Sequence, residues 1–142
     1  MITRTASARY EGFGKDGKAS VSTQSGVLDG QAYGFGSRFE NGAGTNPEEL
    51  IAAAHAACFT MALSFALAKD GHSDGTLETT ARVKLDQDGH GFKVSRSDLS
   101  LAATVPGIDE ARFRELAEGA KANCPISKLL NAEIGFDYRL ND

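Results

Sequence analysis

The chain is poor in cysteine. Its 142 residues include two, Cys58 and Cys124, far apart and with no CxxC pair. A small secreted scaffold held by disulfides carries more of them, so that class is excluded. No spacing around the two cysteines suits a zinc site, so no metal is expected. Clusters of lysine and arginine are also missing, and the net charge is −4. An acidic chain repels a phosphate backbone, which argues against a nucleic-acid partner. The opening residues, MITRTASARYEGFGKDGK, contain no apolar h-region. A secretory signal is therefore not expected there, and a cytoplasmic location is. The glycine-rich run GFGSRFENGAG lacks both the phosphate-loop lysine and the dinucleotide fingerprint, so it reads as loop and turn, with no cofactor implied. No repeat, low-complexity tract or linker interrupts residues 1–142, which read as a single domain.

Hydrophobic residues make up 41% and charged residues 24%, the balance of an ordinary globular protein long enough to bury a core. Segments such as KASVSTQSG and QAYGFGSRFE alternate polar and apolar positions between glycine turns, which predicts an antiparallel meander. The latter segment places Arg38 on a strand. A helix start follows: Asn46 as cap, Pro47 at the first helical position and Glu49 completing a capping box. This helix runs to about Asp70, where Gly71 can end it. From Leu50 to Ala68 it is apolar nearly all round, close to the roughly 20 residues of a membrane span. It is mostly alanine and carries His55, Thr60 and Ser64, so a buried helix of a soluble protein is the better reading, with no membrane partner. A helix without a polar face belongs at the centre of a structure or at a subunit interface. Residues 76–86 and 92–105 alternate around DQDGHG, predicting a long hairpin. Asp109 can cap a helix of about twelve residues. A second short helix, 126–132, and a strand, 134–140, complete an α+β chain.

Cys58 lies deep in the apolar helix, where burial raises a thiol pKa and makes it inert. Cys124 precedes Pro125 at a helix start, which favours a thiolate and makes it the better nucleophile on local grounds. His55 shares a helix face with Cys58, which allows either a Cys–His pair or a histidine that merely packs there. Glu48 has an ordinary role as a first-turn carboxylate, and Arg38 one as a surface charge.

Taken together, YGFGSRFENGAGTNPEELIAAAHAACFTMAL and the later NCPISKLLNAEI resemble the OsmC/Ohr family over essentially the whole chain. SGVLDGQAYGFGSRFE, HAACF and VPGID are similar to its OsmC (osmotically inducible protein C) branch. The resemblance implies an OsmC-like fold, antiparallel strands around a long apolar central helix in an intertwined homodimer. It also implies a stress-defence enzyme that reduces organic hydroperoxides, and hydrogen peroxide more weakly. Carried over by motif, Cys58 would be the peroxidatic nucleophile and Cys124 the resolving cysteine. Arg38 would be the activating cation and Glu48 the carboxylate that orients it. A Cys58 sulfenic acid would pass to a Cys58–Cys124 disulfide, recycled by a dithiol reductant, lipoyl-type on the family pattern. Ten residues of straight helix span roughly 15 Å and turn by about 80°, so one unbroken helix cannot offer Glu48 and Cys58 to a single arginine. Either the helix breaks between them or Glu48 serves the partner's Cys58. A thiol–disulfide oxidoreductase, disfavoured by the missing CxxC, and a redox-sensing binding protein are the rival readings.

Overall fold

A computed structural model describes all residues, Met1–Asp142. The chain forms two compact units, Met1–Leu50 and Ile51–Asp142. The first holds the expected meander: β1 (Ala6–Glu11), β2 (Lys18–Thr23) and β3 (Gln31–Tyr33) pair antiparallel in that order. The β2–β3 connection turns on Gly26 and Gly30, both at positive φ, where a side chain would be strained.

QAYGFGSRFE is not one strand. After Tyr33 the chain turns into a short helix, α1 (Phe35–Phe39), so Arg38 is helical rather than extended. The cause is local. The Gly34 N–H donates to Ser37 Oγ at 3.0 Å, and the Arg38 N–H donates to the Gly34 carbonyl at 3.1 Å. A serine side chain here offers the backbone an alternative to a sheet ladder.

Helix α2 (Pro47–Lys69) starts in the first unit and continues into the second. Its N-terminus is capped as expected on one side only. The Glu49 N–H donates to Asn46 Oδ1 at 2.7 Å, but the Glu49 carboxylate accepts from the Thr45 hydroxyl at 2.8 Å rather than from the cap's backbone. At the far end Gly71 takes φ 93° and the His72 N–H returns to the Leu67 carbonyl at 2.9 Å, which stops the helix.

In the second unit α2 buries one stripe, His55, Phe59, Leu63 and Leu67, at every fourth residue. Its other flank is apolar and open: Met61 is 62% and Phe65 71% exposed. Of the two expected positions, the centre of the structure accounts for that stripe, and the other flank is open in the single chain. By length and composition α2 could also cross a membrane, yet its buried stripe belongs to the core of this unit.

The second sheet runs β4 (Thr76–Asp88), β5 (Gly91–Thr104), β6 (Glu133–Leu140). β4 and β5 form the predicted hairpin, closed at Gly89 and His90 and bulged where Lys84 pairs with Arg96 but Leu85 with Val94. β6 departs from an all-antiparallel arrangement by pairing parallel with β5. A parallel pair needs a crossover. Here α3 (Glu110–Asn123), capped by Asp109, and α4 (Pro125–Leu129) supply it. α4 is shorter than the predicted 126–132. Leu130 makes the last helical bond, to Ile126, and then extends to enter β6.

The core gathers Phe59, Leu63 and Leu67 of α2, Leu99, Leu101 and Ala103 of β5, Phe113, Ala117 and Ala120 of α3, and Cys124. Phe113 is fully buried, its ring 5.2 Å from that of Tyr138. Phe113→Ala should cost about 3–5 kcal/mol, read as a lower urea midpoint at fixed protein concentration.

Candidate active site

Cys124 sits at the junction of α3 and α4 with φ −62° and ψ 137°, the extended backbone expected before proline. Its Sγ accepts the Ser127 N–H at 3.3 Å and lies 3.2 Å from Ser127 Oγ. Both cysteines are free thiols, Cys58 packs against the core cluster that contains Cys124, and each influences the ionisation of the other. Cys58 is half-buried, whereas Cys124 is 1% exposed, so a solvent-borne reagent meets Cys58 first.

The two sulfurs differ in acidity in the opposite sense. Burial pushes the Cys58 thiol up, and the neighbouring Cys124 adds to this, against a lowering contact with the Ile126 backbone. Burial also acts to raise Cys124, but the hydrogen bonds from the Ser127 side chain and backbone, from Cys58 and from the Ile126 backbone outweigh it. Cys124 is therefore held below its ordinary value. The accessible sulfur is the less acidic one, and nothing in this second unit supplies the cation that would make it a thiolate.

In the first unit Arg38 and Glu48 form a two-point pair: Nε to Oε1 and Nη2 to Oε2, both 2.9 Å. This fork raises the Arg38 pKa, chiefly through the hydrogen bonds, against the cost of burial, so the guanidinium stays charged. The geometry is set by the loop between them. Asn46 Nδ2 donates to the Ser37 carbonyl at 2.9 Å while Asn46 caps α2, which ties α1 to the start of the longer helix. Beside Arg38 opens a cavity of about 260 Å³ lined by Tyr10, Tyr33, Phe35, Phe39 and Pro47. The Arg38 guanidinium also lies 5.3 Å from the Phe39 ring centroid.

The four residues singled out by sequence thus form two contacting pairs, Arg38–Glu48 in the first unit and Cys58–Cys124 in the second. The structure gives His55 no bond to Cys58. The ring is wholly buried, with Nδ1 2.6 Å from Ser97 Oγ and Nε2 2.8 Å from Ser127 Oγ. Burial lowers its pKa and keeps it neutral. Ser97, Ser127 and the aromatic wall were not foreseen. Ser127 had a signal, since it belongs to the CPISK run; the others had none.

Comparison with known proteins gives a consistent result. Residues 40–139 match the family model described as OsmC-like protein. The chain is 50% identical to peroxiredoxin OsmC of Escherichia coli over 98% of its length and 97% of that protein. It is 32% identical to the organic hydroperoxide resistance protein OhrB of Bacillus subtilis, over 84% of this chain and 87% of the relative. The crystal structure of that OhrB superposes with a TM-score of 0.69 at 27% identity, covering 98% of each chain.

Proposed function

Since the chain belongs to the OsmC-like protein family, we propose that it is a thiol peroxidase that reduces organic hydroperoxides to alcohols in oxidative-stress defence. The observation that carries this is the contact between a half-exposed thiol, Cys58, and a buried, more acidic one, Cys124. The Cys58 thiolate attacks the peroxide, the O–O bond breaks, and the departing alkoxide takes a proton to leave as alcohol. Cys58 is left as a sulfenic acid. Cys124 then attacks that sulfur, water leaves, and a disulfide remains. A dithiol reductant, lipoyl-type on the family pattern, returns both thiols.

Arg38 is the cation that Cys58 lacks, and Glu48 fixes its planar fork. Arg38→Ala should slow oxidation on the order of a hundredfold and move the Cys58 ionisation to higher pH. Arg38→Lys should recover only part, because the fork is lost. Ultraviolet titration of the thiolate checks this; an unmoved Cys58 midpoint in Arg38→Ala would remove Arg38 from the site.

The substrate's organic group has two apolar surroundings: Ala54, Ala57, Met61 and Ala62 near Cys58 on α2, and the aromatic cavity beside Arg38. Each buried methylene is worth about 0.8 kcal/mol, or roughly fourfold in rate. Cumene hydroperoxide should therefore react faster than hydrogen peroxide, measured as second-order rate constants with a dithiol present. Equal rates would contradict the proposal.

We further propose a cytoplasmic homodimer in which the 142-residue chain acts as one domain. The open stripe of α2, with Met61 and Phe65, is the surface that a second copy would cover.

A further inference from the structure

His55 is buried at the centre of a hydrogen-bonded chain that the peroxidase chemistry above leaves unused. The chain runs Ser97 Oγ, His55 Nδ1, His55 Nε2, Ser127 Oγ and Cys124 Sγ, at 2.6, 2.8 and 3.2 Å between successive side chains. All four residues are buried, at 0%, 0%, 6% and 1% exposure. A neutral imidazole donates from one nitrogen and accepts at the other, and each hydroxyl has one hydrogen to give. Two arrangements therefore satisfy every link. In one, Cys124 S–H points to Ser127, Ser127 O–H to Nε2, and Nδ1–H to Ser97. In the other, every hydrogen is reversed: Ser97 donates to Nδ1, Nε2–H to Ser127, and Ser127 to the sulfur. The first suits a thiol and the second a thiolate. The chain can change direction with the charge of Cys124 by shifting hydrogens alone, with no heavy atom moving.

We propose that His55 is a positioning residue for the resolving step, acting through Ser127 and held by Ser97, and that it prepares Cys124 as the thiolate that closes the disulfide. The inference rests on the two-cysteine reading given above. A sulfur 1% exposed has little bulk water to stabilise its negative charge. Ser127 supplies the replacement donors, and the ring polarises its hydroxyl toward sulfur. When the Cys124 sulfur attacks Cys58, the S–O bond breaks with its electron pair on oxygen. The departing hydroxide takes up the proton that Cys124 gave up, and leaves as water. Around the ring stand Ser97 from β5, Ser127 from α4 and, one turn along α2, Cys58. Of the charged sequence neighbours of these serines, Arg96 and Asp98 pair with each other and Lys128 is exposed. Protonation of the imidazole would cost Nε2 or Nδ1 its acceptor role and break the chain, so resolution should fail at low pH.

In Cys58→Ser protein, Cys124 is the sole cysteine, and its thiolate absorbance can be titrated without any peroxide. Adding Ser127→Ala or His55→Phe should raise the ionisation midpoint by about one pH unit, a tenfold loss of thiolate below it. Ser127→Thr, which keeps the hydroxyl, should leave the midpoint in place. If His55→Phe fails to fold by circular dichroism, Ser97→Ala removes the Nδ1 partner and carries the same test. In the two-cysteine protein, rapid-quench mass spectrometry should find sulfenic acid formation unchanged by His55→Phe or Ser97→Ala. Disulfide closure should be about tenfold slower near neutral pH and catch up in alkali, where thiolate forms unaided. A midpoint moved by Ser127→Ala but by neither change at His55 and Ser97 overturns the role of His55. Absence of a Cys58 sulfenic acid in peroxide-treated Cys124→Ser protein would instead overturn the peroxidase reading, while the titration still decides the relay.

Discussion

Cys58→Ser is expected to abolish peroxide turnover, leaving only the background rate of the assay. No second nucleophile stands ready to take over. Cys124 is the more acidic thiol, but at 1% exposure it is closed to a bulky hydroperoxide. Acidity and access select different sulfurs, and for a substrate arriving from solvent access decides. The companion change separates the two steps. Cys124→Ser should consume one equivalent of peroxide and stop, with Cys58 held as a sulfenic acid that a dimedone adduct reports by mass spectrometry. If Cys58→Ser still turns over, the roles of the two cysteines are reversed.

The second large effect is a recovery of activity. Glu48→Ala and Cys58→Ser chains, each inactive alone, should regain one working site per dimer when combined. Helix α2 is continuous from Pro47 to Lys69, which removes the first of the two options left open by sequence. Over the ten residues from Glu48 to Cys58 a straight helix rises roughly 15 Å. Glu48 holds Arg38 of its own chain by two bonds, so the proposed dimer would lend this pair to the partner's Cys58. The measurement is peroxide consumption by a heterodimer isolated with two different affinity tags. A monomer in sedimentation, or a verified heterodimer without activity, would defeat the shared site.

Much of this was legible in the sequence, for identifiable reasons. Regular alternation in 76–86 and 92–105 predicts the hairpin, because the side-chain period of a strand is two. Asn46-Pro47 marks the helix start through local capping chemistry, which needs no tertiary knowledge. The alternation around Arg38 predicts a strand, but one serine side chain, Ser37, redirects the backbone into α1. The open flank of α2 could not be read either: an apolar-all-round helix looks the same whether its own chain or a second copy covers it. His55 is ambiguous in the sequence because its partners, Ser97 and Ser127, are brought to it by β5 and α4 from distant sequence. Only packing decides between a ring that meets a thiol and one that meets two hydroxyls.

The parallel pairing of β5 with β6 also bears on how the molecule is made. The β4–β5 hairpin closes over a two-residue turn and can form early, whereas Arg96 pairs with Glu133 only after the whole α3–α4 crossover has been drawn in. Long-range closure of this kind is slow, since chain entropy must be lost before contacts repay it. Cys124 and Ser127 ride on that crossover, so the buried thiol would reach His55 and Cys58 among the last events of folding. A nascent chain would thus expose Cys58 to oxidants before its resolving partner arrives, and over-oxidation during synthesis would be a hazard that rapid docking of the crossover limits.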